Sequence, residues 1–389
     1  MKYIETDGLV IKSWCENIDE LSLPQAQNLA KLPFAFHHIA LMPDCHTGYG
    51  MPIGGVLACK DVVIPNAVGV DIGCGMHAVR TNQNEIDINT LKKILGQIRE
   101  NIPVGFDHRK IPIEILPLDE WKEKTKMPMT VVSQQYISAT HQVGTLGGGN
   151  HFIEVQKGSD GYIWFMIHSG SRNIGLKVAE YYNEGAKKLN AMFYSSIPPK
   201  ADLAFLPAHH PLFKEYLAEM RFCLEFALLN RQTMANIIKE IFTKQIPNCY
   251  FSNDLDIAHN YCKNEEHFDE KVWVHRKGAT SAFAGELGII PGSQGTKSYI
   301  VKGLGNKESF MSCSHGAGRT MSRKKAIRDL NLEEEIKKLD EQGILHSIRG
   351  KNDLEEAPSA YKNIDEVMKA QTDLVEIQTE LSPLAVIKG

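Results

Sequence analysis

Residues 69–80 read Gly-Val-Asp-Ile-Gly-Cys-Gly-Met-His-Ala-Val-Arg, a loop punctuated by glycines that runs into a short apolar strand. Asp71 and Cys74 offer a hard oxygen and a soft thiolate three residues apart, a pairing that suits a metal ion. The three glycines remove side chains, so that another group can approach the backbone closely. The stretch therefore predicts part of a metal site. A tight turn capped by Asp71 is the alternative.

The bulk composition limits the class of protein. With 389 residues and 43% hydrophobic content, the chain can bury a large core. Its formal net charge of -4 argues against a polybasic nucleic-acid binder, so any contact with RNA must be local. The N-terminus lacks the pattern of a secretory signal, and no apolar stretch is long enough to span a membrane. We expect a cytoplasmic protein that has no membrane contact.

The eight cysteines carry no CxxC pair and no close disulfide framework. A chain of this length does not need disulfides for stability, so we expect most of these thiols to be reduced, buried and inert. Cys74 is the exception, because it lies in the glycine-rich stretch beside Asp71.

Apolar runs and their periodicity predict the order of elements. Short strands are expected at 9–15, 36–42, 53–59, 62–64, 76–79, 162–167, 272–275 and 298–302, with a further strand after the glycines at 147–149. Ile88, Leu91, Ile94, Leu95 and Ile98 recur at helical spacing and predict an amphipathic helix over 88–100. Residues 106–128 have no clear pattern and are expected to be an irregular connector.

The pattern favours an α+β protein with a mixed or antiparallel sheet core. We expect a single large domain over 1–389, because no linker is long enough to separate two units. Within it, 176–255 is predominantly helical, with a proline-rich break before a long helix or helix pair over 212–244. We expect this excursion to pack on the sheet and to carry little chemistry. Two C-terminal helices are predicted, one near 322 and one over 363–380.

Five residues are candidate metal ligands because they lie beside glycines or at strand and loop boundaries: Asp71, Cys74, His151, His168 and His259. A lone histidine is more often a satisfied polar residue than a ligand, but five candidates in similar settings strengthen the metal hypothesis. Cysteine and histidine suit zinc, whereas an aspartate and nearby phosphate oxygens favour a harder ion such as manganese. Composition leaves the metal open.

His315 is the candidate nucleophile, since the small residues around it would let a triphosphate approach. A neutral imidazole can attack the α-phosphorus of a nucleotide and then transfer the nucleotide to another acceptor. Gly147–Gly149 and Gly316–Gly318 can present backbone N–H groups to phosphate oxygens, although ordinary turns explain them equally well. A loop histidine that is hydrogen-bonded to a carbonyl is the alternative for His315.

Eight ordered segments together resemble the RtcB-type RNA-splicing ligases. They are DCHTGYGMPIGG, GVDIGCGMHAVR, GGGNHFIEV, HSGSRNIG, AHNYC, VHRKGAT, PGSQGT and SHGAGR, and they run from about residue 36 to 325, with the similarity resuming at Lys388-Gly389. The resemblance implies a GTP- and Mn²⁺-dependent ligase with an RtcB-like fold. Such an enzyme joins an RNA 2',3'-cyclic-phosphate or 3'-phosphate end to a 5'-hydroxyl end in RNA repair or tRNA splicing, and an archease-like activator is a further possible partner.

Position by position, the resemblance also implies the roles of individual residues. Cys74 would bridge two Mn²⁺ ions, with Asp71 and His151 completing one site and His168 and His259 the other. His315 would be the guanylylated nucleophile, and Arg172 would contact the RNA phosphate. The residues at GTP-binding positions would be Asn150, His151, Phe152, Glu154, Asn260, Pro291, Gly292, Ser293, Gln294, Ser298, Gly316, Ala317, Gly318 and Lys388.

The implied reaction has three steps. His315 takes GMP from GTP with loss of pyrophosphate, GMP passes to the RNA 3'-phosphate after any cyclic phosphate is opened, and the 5'-hydroxyl then displaces GMP. Two other classes of protein stay open. A two-metal phosphoesterase or nuclease acting on RNA ends would use water and would not need His315. A non-catalytic RNA-binding repair scaffold would not need Cys74.

Overall fold

A computed structural model describes residues 1–389, apart from the side chains of residues 116, 117, 121, 122 and 124. The strands are β1 (Lys2–Ile4), β2 (Ile11–Ser13), β3 (Ala35–His46), β4 (Ile53–Cys59), β5 (Val62–Val63), β6 (Gly75–Thr81), β7 (Phe152–Gly158), β8 (Ile163–Ser169), β9 (Leu206–Pro207), β10 (Phe251–Ala258), β11 (Asn260–His267), β12 (Glu270–Lys277), β13 (Ala279–Ser281), β14 (Leu287–Ile290), β15 (Ser298–Gly303), β16 (Ser312–Ser314) and β17 (Val375–Lys388). The α-helices are α1 (Ser22–Ala30), α2 (Pro65–Val68), α3 (Ile88–Asn101), α4 (Leu116–Thr125), α5 (Thr130–Thr140), α6 (Arg172–Met192), α7 (Pro211–Gln245), α8 (Arg323–Asp329), α9 (Leu332–Asp340) and α10 (Ile364–Lys369). Short 3-10 helices cover Pro199–Ala201, Lys307–Ser309, Lys351–Glu356 and Pro358–Ala360.

Two large sheets form the core. The first has the order β1-β2-β3-β4-β12-β11 and is mixed, since β2 and β3 run parallel. The second has the order β10-β6-β8-β7-β17-β15-β14 with antiparallel pairs. The prediction of an α+β fold with a mixed or antiparallel sheet core is therefore confirmed. That the chain is one domain stays a prediction.

Helices α3 and α7 cover one face of the second sheet. Leu91, Ile94, Leu95 and Ile98 are buried on one face of α3, while Ile88 in the first turn stays exposed. The Asp87 side chain accepts hydrogen bonds from the N–H groups of the first turn and begins this helix. The face of α3 packs with α7 against apolar residues of β7 and β8. Each described helix is too short or too polar to cross a membrane, and the cytoplasmic location stays a prediction.

Two expectations about elements were wrong in part. The connector at 106–128 contains α4, and α5 follows it. The C-terminal helix predicted over 363–380 ends at Lys369, and the chain continues as β17 from Val375. The reason is tertiary: β17 lies between β7 and β15, and its ladder hydrogen bonds in the second sheet outweigh local helix propensity.

The strand β17 carries the end of the chain into the middle of the second sheet. Its antiparallel register places Lys388 opposite Phe152 and Val386 opposite Glu154. Gly389 lies so close to Gly147 in space that a Cβ added to Gly389 would be 1.7 Å from the Gly147 carbonyl oxygen. A side chain at residue 389 is therefore excluded. The pairing brings Gly389 beside the glycine-rich segment at 147–149.

A buried ion pair joins β11 and β12 in the first sheet. Arg276 is fully buried, and its guanidinium donates to both carboxylate oxygens of Glu265 at 2.7 and 2.9 Å. Burial raises the pKa of Glu265, but hydrogen bonding from His267 and the charge of Arg276 outweigh it, so the pKa falls from 4.5 to about 2. The carboxylate is therefore charged in the folded protein across the neutral range.

We predict that Glu265→Gln lowers the free energy of unfolding by about 3 kcal/mol at neutral pH, because it leaves a buried guanidinium without its charge partner. The pKa of Glu265 is lowered on folding, so its stabilisation is complete above about pH 4.5 and is lost as the pH falls toward 2. The difference in melting temperature between wild type and variant should therefore shrink on acidification. The exposed neighbour variant Glu266→Gln is the control. A pH-independent difference would contradict the account.

Candidate metal and nucleotide site

The loop from α2 to β6 needs glycine because its neighbours crowd its backbone. Gly73 has φ +74, and a Cβ added there would lie 3.0 Å from Ala227 Cβ and 3.2 Å from the Cys223 carbonyl oxygen of α7. At Gly75 an added Cβ would lie 2.0 Å from the Ile257 carbonyl oxygen of β10. Because α7 and β10 press on it from two sides, the loop is held where Asp71 and Cys74 meet residues from other strands.

The five candidate ligands lie together. Cys74 Sγ is 3.5 Å from His151 Nε2 and 3.2 Å from His168 Nε2. Asp71 Oδ2 is 3.1 Å from His151 Nε2, and the Nε2 atoms of His168 and His259 are 3.4 Å apart. The donor atoms form two groups, each within 4.8 Å: Asp71, Cys74, His151 and Cys74, His168, His259. Cys74 belongs to both groups.

Hydrogen bonds to the backbone point the ring nitrogens toward this centre. Nδ1 of His151 lies 3.0 Å from the Leu146 carbonyl oxygen, and Nδ1 of His168 lies 3.0 Å from the Asn150 carbonyl oxygen. A carbonyl can only accept, so each Nδ1 carries the proton and each Nε2 turns a lone pair inward. Buried lone pairs that face a thiol and a carboxylate are the environment a cation would complete. The residues present therefore fit a divalent metal.

The charge states agree with that fit. Burial raises the pKa of Cys74 well above its usual value and lowers those of His168 and His259 well below theirs, so these groups are neutral without an ion. Burial also raises the pKa of Asp71, but hydrogen bonding from His151 outweighs it, and the pKa falls to about 2. A bound divalent cation would favour the Cys74 thiolate and release its proton.

A buried arginine of α7 supports the ligands from behind. Arg231 Nη1 donates to the Gly73 and Ser169 carbonyl oxygens at 2.9 and 3.0 Å, and these residues adjoin Cys74 and His168 in the chain. Its other nitrogens bind both carboxylate oxygens of Asp256 at 2.8 and 2.6 Å. The expectation that 176–255 carries little chemistry is therefore wrong, since the long helix supplies the clamp on the ligand backbone.

His315 is paired with a carboxylate from the other sheet. Asp44, fully buried at the end of β3, lies 2.6 Å from Nδ1 of His315 through its Oδ2 atom. The same oxygen accepts from the backbone N–H groups of His315 and Gly316 at 3.1 and 3.3 Å. In the neutral ring the carboxylate therefore holds the proton on Nδ1, and the lone pair lies on Nε2. His315 stacks edge-on against His259, with ring centroids 4.9 Å apart.

A cavity of about 1360 Å³ joins His315 to the candidate metal ligands. It is lined by Asp71, Cys74, His168, His259, His315 and by most residues predicted to bind a nucleotide: Asn150, Phe152, Glu154, Asn260, Pro291, Gly292, Ser293, Gln294, Gly316, Ala317, Gly318 and Lys388. The convergence inferred from separate motifs is therefore present in space. The roles of the individual residues stay predictions.

Three predicted residues, Ser298, Arg172 and Asn260, contact other protein groups around the cavity. Ser298 accepts hydrogen bonds from Gly292 N–H and the Gln156 side chain, so it supports the 291–294 loop from beneath. Arg172 Nη1 lies 3.2 Å from His151 Nδ1, and its guanidinium lies against Gly147. The Asn260 side chain donates to the Asp71 carbonyl and accepts from the Gly278 N–H. It therefore connects the loop that carries Asp71 to the residue after β12.

The sequence interpretation missed several polar residues in and next to the cavity. Asp44 and Lys277 stand inside motifs that were recognised, but nothing in the sequence pairs Asp44 with a histidine 271 residues away. Arg319 and Glu356 also line the wall, with 3.2 Å between Arg319 Nη1 and Glu356 Oε1. Burial lowers the pKa of Lys277 to about 7, and its ammonium binds the Tyr49 and Asn66 carbonyls.

Comparison with known proteins gives matches over nearly the whole chain. The family model described as tRNA-splicing ligase RtcB matches residues 25–389. The RNA-splicing ligase RtcB of Escherichia coli K12 is 37% identical over 99% of both chains. The tRNA-splicing ligases RtcB of Nanoarchaeum equitans and Thermococcus kodakarensis are 34% and 31% identical over 95% of this chain, covering 92% and 91% of their own.

Sharing of Cys74 between the two groups of donors predicts how metal binding responds to mutation. Wild type should bind two Mn²⁺ ions, one per group. His151→Ala and His259→Ala should each lose one ion, whereas Cys74→Ala should weaken both, as measured by calorimetric titration with Mn²⁺. Cys262→Ala, at another buried free cysteine, is the control. If Cys74→Ala loses only one ion, the thiol is not shared.

The Arg231 clamp predicts a separate effect on metal affinity. Arg231→Lys should weaken Mn²⁺ binding by about 10- to 100-fold, because an ammonium cannot hold Asp256 and both carbonyls together. The exposed Lys244→Gln on the same helix should bind Mn²⁺ like wild type. A variant that melts at a lower temperature yet keeps wild-type Mn²⁺ affinity would show that Arg231 is only structural.

Proposed function

Because the chain belongs to the RtcB family of RNA-splicing ligases, we propose that it joins RNA 2',3'-cyclic-phosphate or 3'-phosphate ends to 5'-hydroxyl ends with GTP and two Mn²⁺ ions. Membership makes it an RNA ligase of RNA repair or tRNA splicing. The end chemistry, the nucleotide and the metal are our proposal. An archease-like activator would be an additional partner, and the whole chain would act as one ligase domain.

The pair of Asp44 and His315 is the observation that carries the proposal. Asp44 keeps the proton on Nδ1, so Nε2 of His315 has the lone pair needed to attack phosphorus. The imidazole side chain is 16% exposed and faces the cavity. As the ring gains positive charge on forming a P–N bond, the buried carboxylate stabilises it, as an aspartate stabilises the imidazolium of a serine protease triad.

The proposed reaction balances at each step. His315 Nε2 attacks the α-phosphorus of GTP, a P–N bond forms, and the P–O bond to pyrophosphate breaks. Where the RNA end is a 2',3'-cyclic phosphate, water first attacks its phosphorus and breaks the bond to the 2'-oxygen, which leaves a 3'-phosphate and a 2'-hydroxyl. An oxygen of the RNA 3'-phosphate then attacks the same guanylyl phosphorus, which breaks the P–N bond and returns His315 to its starting state. Finally the 5'-hydroxyl attacks the RNA phosphorus, loses its proton and displaces GMP.

Other residues of the cavity would hold the nucleotide and the phosphates. Lys388 lies with its ammonium 5.4 Å from the Phe152 ring centroid and 4.0 Å from Glu356, which suits a contact with a nucleotide. Burial raises the pKa of Glu154 to about 8, and donors on a guanine base would favour its charged form. Bound at Asp71, Cys74, His151, His168 and His259, divalent ions would neutralise charge on phosphate oxygens.

The backbone N–H of Gly316 is one of the amides that were predicted to bind phosphate. Within the described residues, the N–H of Gly316 already donates to Asp44 at 3.3 Å. Gly316 therefore helps to fix the aspartate, and cationic side chains of the wall are further candidates for phosphate contacts. Arg319 and Arg323 are held by Glu356 and line the cavity beside His315.

We predict that GTP labelled at the α-phosphate, with Mn²⁺ and no RNA, leaves an acid-labile, base-stable label on the protein. His315→Ala should carry no label, and Asp44→Asn should be labelled at least about 100-fold more slowly, because the orientation of the imidazole is lost. His209→Ala, at a histidine outside the cavity, should match wild type.

Two outcomes would contradict the proposal. Undiminished label in His315→Ala would move the nucleophile elsewhere. Hydrolysis of RNA cyclic-phosphate ends without any protein label would instead identify a two-metal phosphoesterase that uses water.

A further inference from the structure

The loop between β3 and β4 presents an exposed aromatic ring at the mouth of the cavity. The Tyr49 side chain is 77% exposed, although it borders the same cavity as His315 and Asp71. An aromatic ring left in water forgoes the free energy of burial. A partner that covers the ring would recover it.

The backbone beneath this ring is held on both sides. Gln25 of α1 clamps Gly48, donating to its carbonyl at 2.5 Å and accepting from its N–H at 3.2 Å. Thr47 donates to Asp19 at 2.6 Å. On the other side, Lys277 Nζ donates to the Tyr49 carbonyl at 2.5 Å. The ring therefore projects from a fixed backbone.

Lys277 also connects this loop to the metal ligands. The same ammonium donates to the Asn66 carbonyl at 2.9 Å, in the helix that leads into the Asp71 loop. The buried Lys277 side chain therefore links the backbone at Tyr49 to the backbone that leads to Asp71. Val70, also exposed, lies on the facing loop and borders the cavity with Tyr49.

The chemistry of the site indicates what covers the ring. Glu154 and Lys388, which are proposed to bind the nucleotide, belong to strands of the second sheet. Tyr49 instead lies in the loop that joins β3 and β4 of the first sheet. Cationic side chains of Arg319, Arg323 and Lys324 line the same cavity and suit a phosphate backbone. A single-stranded end with phosphates on these cations would have its unstacked bases available for an aromatic face.

We propose that Tyr49 is a stacking platform for the terminal nucleobase of an RNA end at the ligation junction. This inference rests on the proposed function, because it requires RNA ends at the mouth of this cavity. The ring face makes the contact and the hydroxyl is not needed, so binding should depend little on base identity.

The test measures RNA binding and guanylylation separately. Tyr49→Ala should weaken the Kd for a single-stranded RNA with a 3'-phosphate or a 5'-hydroxyl end by roughly tenfold to a hundredfold, while Tyr49→Phe and Tyr49→Trp stay near wild type. The exposed tyrosine variant Tyr250→Ala is the matched control. Labelling of the protein by GTP without RNA should be the same in Tyr49→Ala and wild type, which reports an intact fold and metal site.

A fluorescent base gives the direct signature. RNA with 2-aminopurine at its terminal nucleotide should be quenched on binding to wild type and not on binding to Tyr49→Ala, and the end that responds identifies the strand on the ring. An abasic terminal nucleotide should bind both proteins equally weakly. Equal RNA affinity in wild type and Tyr49→Ala, or equal losses in Tyr49→Ala and Tyr49→Phe, would overturn the inference. Failure of GTP labelling in wild type would instead overturn the proposed function.

Discussion

The Cys74 thiol is the constraint on which the site depends. It lies within 4.8 Å of two sets of donor atoms, which come from the loop before β6, the residue before β7, strand β8 and the junction of β10 and β11. Burial keeps the isolated thiol protonated, so a shared thiolate requires positive charge on both sides. Metal cations would supply this charge. The imidazoles that are fixed by carbonyls would bind them, and Arg231 would hold the backbone beside the sulfur. A binding site built this way is rigid before any ligand arrives.

The two sheets contribute different parts of the chemistry. The second sheet supplies His168, Glu154 and Lys388, and the first supplies Asp44 and Lys277. His315 follows the short strand β16, where it meets both contributions. A relative shift of the two large sheets would separate Asp44 on β3 from His168 on β8. The buried pair of Arg276 and Glu265 stiffens the first sheet beside this junction.

The sequence was informative where chemistry is local. Glycine-flanked polar residues predicted the candidate metal ligands, which the fold brings together, and the periodicity of Leu91, Ile94 and Ile98 predicted α3. It was uninformative where partners are distant, as for Asp44 with His315. It misled where a tertiary ladder overrode local propensity, as in β17, and where a helix that reads as packing carries Arg231. Contacts between side chains that are distant in the sequence depend on the whole fold, so no local sequence pattern predicts them.

The most direct test of the shared thiolate is anomalous diffraction from crystals of the protein loaded with Mn²⁺. The account predicts two manganese peaks that flank the sulfur of Cys74, one also bonded to Asp71 and His151 and the other to His168 and His259. A single peak, or two peaks of which only one contacts Cys74, would contradict it.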